Sequence, residues 1–132
     1  QYSSDGFSTI RKNPDTGMYE WYIFYNDYNC FQRQRWTIFH EIGHIYLGHL
    51  EDRFMSDAQK ESEANFFAKY SIAPPPLINI MDCTSTSDIA SAFYVSDEAS
   101  VYIFYYIQKC KYYGETEYEP FEMELLQLFS VA

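Results

Sequence analysis

Two histidines and a glutamate occur at a spacing that lets them act on one metal ion, in the segment His40-Glu41-Ile42-Gly43-His44. In a helix, residues four apart lie on the same face, one turn from each other. His40 and His44 would therefore direct imidazole nitrogens at a single divalent ion. Glu41 lies beside this pair, where its carboxylate can take a proton from water activated by the metal. These residue types at this spacing predict metal-assisted hydrolysis.

A catalytic metal site of this kind needs a third protein ligand and one open coordination position. One arrangement places a third histidine six residues after the second, but that position is Leu50. His49 is displaced from it by one residue. We therefore expect His49 to be an exposed cation at the end of the helix rather than a ligand.

The other source of a third ligand is a carboxylate on a later helix. Glu61 and Asn65 are four residues apart and share a helical face. Glu61 could bind the metal while Asn65 hydrogen-bonds one of the ligand histidines. Glu63 competes for the ligand role, but it is two residues from Glu61 and faces elsewhere. We favour Glu61 over Glu63 and expect Glu63 to be solvated.

The identity of the metal follows from the ligand set. Two imidazoles and one carboxylate suit Zn²⁺, although Mn²⁺ and Fe²⁺ can occupy the same ligands. The competing interpretation is metal-free: an ordinary helix with two hydrogen-bonded histidines and a solvated glutamate. The downstream carboxylate helix favours the metal site, because the metal-free interpretation does not explain its pattern.

The elements that must position these residues follow from periodicity and turn chemistry. Residues 7–12 and 18–25 are rich in β-branched and aromatic types and flank a Pro- and Gly-containing turn, which predicts a β-hairpin. Helical spacing over about residues 31–47 predicts a helix that stops at Gly48. Its expected apolar stripe consists of Trp36, Phe39, Gly43 and Leu47.

Further helices are predicted downstream. One covers about residues 57–72, begins after Ser56 and is ended by three consecutive prolines. Others are expected over about 88–95, 96–113 and 120–129. The fold class is therefore α+β, with a small sheet followed by helices. We expect one domain over residues 1–132, with a core at about 18–76 and a helical part at about 77–132.

Composition excludes several classes of protein. The 132 residues are 47% hydrophobic and 20% aromatic, which excludes a disordered chain. A net charge of -10 disfavours direct binding to nucleic acid or to an anionic membrane surface. No apolar stretch approaches the length of a membrane span. The three cysteines are odd in number and widely spaced, which favours reduced thiols and a cytoplasmic location.

Three segments together resemble the ImmA/IrrE family of metallopeptidases. They are Arg35-Trp36-Thr37-Ile38-Phe39-His40-Glu41-Ile42-Gly43-His44, Leu47-Gly48-His49 and Glu61-Ser62-Glu63-Ala64-Asn65-Phe66-Phe67-Ala68. The resemblance spans about residues 18–76 and implies a gluzincin-like domain with both motif helices packed together. It implies His40, His44 and Glu61 as metal ligands and Glu41 as the general base. Residues 77–132 show no motif that maps onto the family.

The resemblance also implies a function. Members of this family typically cut or inactivate a helix-turn-helix repressor, often one encoded beside them on a prophage or mobile element. We therefore expect a zinc-dependent endopeptidase that cleaves such a repressor and derepresses genes. The alternative is a catalytically silent metal-binding module that antagonises a repressor by contact.

The distribution of charge is compatible with a basic partner. Residues 51–132 carry fourteen acidic and five basic residues. A DNA-binding repressor is usually basic, so this acidic half could attract it. We expect neutralisation of Glu115, Glu117 and Glu119 to slow the association at low salt.

Overall fold

The computed structural model describes residues 4–113 and 117–130. Within them lie two strands and six helices, which confirms the α+β class. In chain order they are β1 (Gly6–Lys12), β2 (Tyr19–Tyr25), α1 (Phe31–Tyr46), α2 (Asp57–Ile72), α3 (Pro75–Ile80), α4 (Thr86–Phe93), α5 (Asp97–Tyr112) and α6 (Pro120–Ser130). The chain divides into two compact units, residues 1–72 and 73–132. Single-domain organisation stays a prediction.

The first unit begins with the predicted hairpin. β1 and β2 pair in antiparallel register from Gly6 opposite Tyr25 to Lys12 opposite Tyr19. Asn13 closes the turn, because its side-chain oxygen accepts the amide of Asp15 and its backbone bonds both ends of the loop. Gly17 adopts φ +71°, a conformation that glycine reaches at no steric cost.

The start of β1 is held closely against α1. A Cβ atom at Gly6 would lie 2.7 Å from Cγ2 of Thr37 and 2.5 Å from the carbonyl oxygen of Phe24. Only glycine permits this approach. Asp5, just before the strand, forms an ion pair with Arg33 of α1 at 2.8 Å. The strand is therefore fixed along the helix that carries the two histidines.

The buried face of α1 is not the predicted apolar stripe. Its buried residues are Thr37, Glu41, Gly43 and His44. Leu47, the expected end of the stripe, is 42% exposed because the helix ends at Tyr46 and the chain turns at Gly48. Of the predicted stripe only Gly43 is buried, and most of the buried residues of α1 have polar side chains.

α1 and α2 pack against each other as the sequence predicted, with α2 beginning after Ser56. The hydroxyl oxygen of Ser56 accepts the amide of Gln59 at 3.2 Å and caps the helix. A Cβ atom at Gly43 would lie 3.0 Å from Cβ of Phe67, so this aromatic residue occupies the space that the glycine leaves. Ala64 and Ala68 are fully buried.

The second unit consists of α3 to α6. The short helix α3, which the sequence analysis missed, starts directly in the proline run because proline is tolerated in the first helical turn. α4 starts at Thr86 rather than at residue 88, since Ser85 is the N-cap and Asp88 completes a capping box. α4 packs against α5, and α3 contacts α6. The largest fully buried apolar side chains of this unit are Ile78, Ile89 and Ile103.

Five glutamates near the C-terminal end form an acidic run: Glu115, Glu117, Glu119, Glu122 and Glu124. One of them is not simply solvated. Glu122 is buried, and its carboxylate accepts the amide of Glu119 at the start of α6. Glu117, Glu119 and Glu124 are exposed, while Glu115 lies outside the described residues.

Among the described residues, no helix has both the length and the apolar character that crossing a membrane would require.

Candidate metal centre

Three side chains that the sequence singled out converge between α1 and α2. His40, His44 and Glu61 each place one potential ligand atom within 4.8 Å of the others. The two Nε2 atoms are 3.0 Å apart. Nε2 of His40 is 3.2 Å from Oε2 of Glu61, and Nε2 of His44 is 3.1 Å from Oε1. The side chain of Glu61 is 59% exposed, so the cluster opens to solvent on the α2 side.

These distances fit a tetrahedral metal site. Ligand atoms about 2.1 Å from a tetrahedral ion lie about 3.4 Å from one another. The three separations in the cluster, 3.0, 3.1 and 3.2 Å, are close to that value. Two imidazole nitrogens and one carboxylate also form a donor set that zinc accepts. The residues present therefore fit the ion that the sequence predicted.

His40 is oriented by Asn65, the contact expected from the spacing on α2. Nδ1 of His40 lies 2.9 Å from Oδ1 of Asn65. An amide oxygen only accepts hydrogen bonds, so Nδ1 carries the proton and Nε2 keeps its lone pair. That lone pair faces His44 and Glu61.

The expectation that His49 is an exposed cation was wrong. His49 is only 3% exposed. Its Nδ1 lies 3.0 Å from Nδ1 of His44, and its Nε2 lies 3.0 Å from Oε2 of Glu63. Glu63 was expected in solvent and is instead half-buried and paired. The pKa of its carboxyl is lowered, first by the hydrogen bond from His49 and then by the one from Gln59.

The end of α1 explains how His49 returns to the site. Gly48 adopts φ +73°, and its amide donates to the carbonyl of Ile45 at 3.1 Å. The amide of His49 donates to the carbonyl of His44 at 2.9 Å. This is the Schellman pattern, which brings the second residue after the helix cap back against the last turn. The glycine at 48 was recognised as a helix stop, and the same signal indicates that residue 49 contacts residue 44.

Glu41 is buried beside the ligand cluster and is held by a residue of the hairpin. It is 7% exposed, and the hydroxyl of Ser8 on β1 donates to its Oε2 at 2.6 Å. Hydrogen bonds to a carboxylate are shorter and stronger than those between neutral groups. Sequence reasoning missed Ser8, since a single serine in a strand carries no signal of its own.

The electrostatics favour a neutral imidazole at His44. Burial lowers the pKa of His44, and the neighbouring charge of His40 lowers it further, against the opposing effect of Glu41 and Glu61. A metal-ligating histidine must be unprotonated at the coordinating nitrogen. The surroundings of His44 therefore hold it in the form that a metal binds.

The family of this chain follows from a match to a known family of peptidases. A model of the peptidase family described as the IrrE N-terminal-like domain matches residues 1–103. The chain belongs to this metallopeptidase family. The match confirms the resemblance and extends beyond residues 18–76, taking in the whole hairpin and both motif helices. No match to this chain was found among curated proteins or among solved structures.

Proposed function

We propose that this chain is a zinc-dependent endopeptidase in which His40, His44 and Glu61 hold the metal and Glu41 is the general base. The observation that carries the proposal is a buried carboxylate fixed beside three convergent ligand atoms. The hydroxyl of Ser8 donates a hydrogen bond that replaces part of the hydration the Glu41 carboxylate loses on burial. The membership in a metallopeptidase family supports the same role.

The protein's own residues supply binding and proton transfer. When bound, zinc would polarise the peptide carbonyl and lower the pKa of water. Glu41 takes the proton of the attacking water and returns it to the departing amine. Because Ser8 bonds Oε2, the carboxylate is held in one orientation and Oε1 is left for the proton. The open side of the cluster at Glu61 gives the substrate access.

The substrate that we propose is a helix-turn-helix repressor. Family membership supports a peptidase, and the net charge of -10 supports a basic protein as its partner. A protein that binds DNA has a cationic surface, which an acidic enzyme attracts without binding the DNA itself. The second candidate function is antagonism of the same repressor by contact, without cleavage.

The substitution Glu41→Gln tests the mechanism. We expect the variant to bind zinc as the unmodified chain does and to cleave about 10² to 10⁴ times more slowly, the range that general acid–base catalysis contributes. Zinc content is measured on the purified protein, and cleavage is followed by mass spectrometry. Glu98→Gln, which makes the same change at an exposed position on α5, is the matched control. Undiminished cleavage by Glu41→Gln would overturn this mechanism.

A second experiment separates cleavage from contact. A candidate helix-turn-helix repressor is incubated with the chain, with and without a chelator, and the masses of the products are measured. Two fragments that appear only without chelator support the peptidase. Release of the repressor from its operator with no cleaved product would favour antagonism by contact.

A further inference from the structure

We propose that His49 and Glu63 form a positioning pair that holds His44 in the tautomer able to bind the metal. The inference rests on the proposed metal centre and concerns residues outside its ligand set. Both residues were expected to be solvated, yet the structure places them in one chain of hydrogen bonds that ends on a ligand. Neither residue contacts the reacting groups, so their role is to orient His44.

The direction of the protons follows from the acceptor at the end of the chain. An ionised carboxylate accepts only, so Nε2 of His49 must carry the proton that it shares with Glu63. In neutral His49 this leaves Nδ1 bare, and it accepts the Nδ1 proton of His44 across 3.0 Å. Nε2 of His44 is then unprotonated and faces Nε2 of His40 and the carboxylate of Glu61.

The opposite arrangement would block the metal site. If Nδ1 of His49 carried a proton, it would donate to Nδ1 of His44. The proton of a neutral His44 would then lie on Nε2, the atom that must bind the metal. The charge of Glu63 favours a proton on Nε2 of His49 and so works against this arrangement.

The backbone around His49 is held in place independently of the metal. The positive φ of Gly48 turns the chain back over α1, and the amide of His49 bonds the carbonyl of His44. Nζ of Lys60 donates to the carbonyl of His49 at 2.8 Å and to that of Asp52 at 2.5 Å. Helix α2 thus supplies a ligand, the cation that fixes the loop, and the carboxylate of the positioning pair.

The two ligand histidines are supported in different ways. His40 donates to the neutral amide of Asn65, whereas His44 donates to an imidazole that is itself backed by a carboxylate. A hydrogen-bond acceptor on the second ring nitrogen of a ligating histidine fixes its orientation and raises its basicity, and loss of that acceptor typically costs 10- to 100-fold in metal affinity. We therefore expect His49 to matter for affinity although it never touches the metal.

Two substitutions of matched shape test the proposal. Leu and Asn have similar size and branching, but only Asn places an acceptor oxygen near the position of Nδ1. We expect His49→Leu to bind zinc about 10 to 100 times more weakly and His49→Asn to retain most of the affinity. Affinity is measured by competition with a chromophoric chelator, on the full chain, with circular dichroism as the check of folding.

The outcomes separate this inference from the proposed function. If the unmodified chain does not bind zinc, or if His40→Ala does not weaken binding, the metal centre itself is wrong. The other case is that the unmodified chain binds zinc and needs His40 to do so. If His49→Leu and His49→Asn then lose zinc affinity equally, or if neither variant loses any, only the positioning pair is overturned.

A spectroscopic measurement on the unmodified chain keeps the proposal testable even if His49→Leu does not fold. In the zinc-loaded protein, nitrogen NMR should show His44 protonated at Nδ1 and His49 protonated at Nε2 alone. Zinc-loaded protein in which His49 is protonated at Nδ1, with or without Nε2, would overturn the proposal.

Discussion

At the scale of single residues, the cost of burying Glu41 must be offset locally. A carboxylate taken out of water loses several kilocalories of hydration unless hydrogen bonds replace it. The hydroxyl of Ser8 supplies one such bond and reaches Glu41 from a different element of the fold. Glu41, the proposed general base, is therefore held by the sheet as well as by its own helix.

Replacing Ser8 by alanine removes this bond. Because Glu41 would no longer be held in one orientation, we expect kcat to fall by about tenfold, part of what a positioned general base contributes, while zinc affinity is unchanged. Steady-state kinetics and chelator competition measure the two effects. Thr9→Ala, on the opposite face of the same strand, is the control. An equal loss of activity in Thr9→Ala would show that the strand, not the hydroxyl, is responsible.

The residues that the sequence identified share one property. Each identified pair lies on a single helix, so its shared face follows from the sequence spacing alone, without knowledge of the rest of the fold. The two pairs are His40 with His44 and Glu61 with Asn65. His49 and Glu63 could not be placed in this way, because their contact depends on the left-handed turn at Gly48. Ser8 depends on how a strand lies along a helix, which no local pattern reports.

At the scale of elements, the distance spanned by two residues of strand β1 is close to the distance spanned by four residues of helix α1, along the line where the two are in contact. Two residues of a strand advance about 6.7 Å, and four residues of a helix advance about 6 Å. Gly6 lies against Thr37, and two residues later Ser8 meets Glu41, four residues further along α1. The tight approach at Gly6 therefore sets the position of the hydroxyl at Ser8.

The ion pair that ties β1 to α1 gives a dependence of stability on pH. The hydrogen bond from Arg33 is the main cause that lowers the pKa of Asp5, with a smaller contribution from Asn29. Since the pKa is lowered on folding, the stabilisation is present above 3.8 and is lost as the pH falls through the folded-state value. We expect Asp5→Asn to reduce the free energy of unfolding by about 0.5 kcal/mol at neutral pH and by nothing in strong acid.

Urea unfolding at a series of pH values measures this difference. Asp15→Asn, in the exposed turn of the hairpin, is the control for a change of charge without an ion pair. A difference for Asp5→Asn that stays constant down to strong acid would show that the lost contact does not depend on the charge of Asp5.

Most elements were predictable because their ends carry strong local signals. The turn before β2, the capping Ser56 of α2 and the capping Ser96 of α5 each place a boundary within a residue or two. α3 was missed because six residues that begin with two prolines contain no helical period. The start of α4 was misplaced because Ser85 and Asp88 act together, and the acidic residue is the third helical position rather than the cap.

At the scale of the whole molecule, removal of the metal should not unfold the chain. His40 and His44 are held by Asn65 and His49 through contacts that need no ion, and the second unit has its own buried residues. We expect a chelator to lower the melting temperature while the helical signal at 25 °C is retained. Free zinc at 100 times its Kd would raise the free energy of unfolding by about 2.7 kcal/mol.

Thermal scans by circular dichroism, with zinc and with chelator, test this expectation. In His40→Ala the shift in melting temperature between the two conditions should vanish. If the chelator abolishes the helical signal at 25 °C, the metal has a structural role, as in small zinc-dependent folds.

The two parts of the proposed ligand set lie close together along the chain, and this affects when during synthesis the site can form. Only sixteen residues separate His44 from Glu61, and closing a loop of that length costs little chain entropy. Every side chain of the cluster, from Ser8 to Asn65, belongs to the first compact unit. During synthesis these residues emerge from the ribosome before α3 to α6 do, and N-terminal parts of a chain generally fold first. The proposed metal centre can therefore assemble on a nascent chain whose C-terminal helices have not yet emerged from the ribosome.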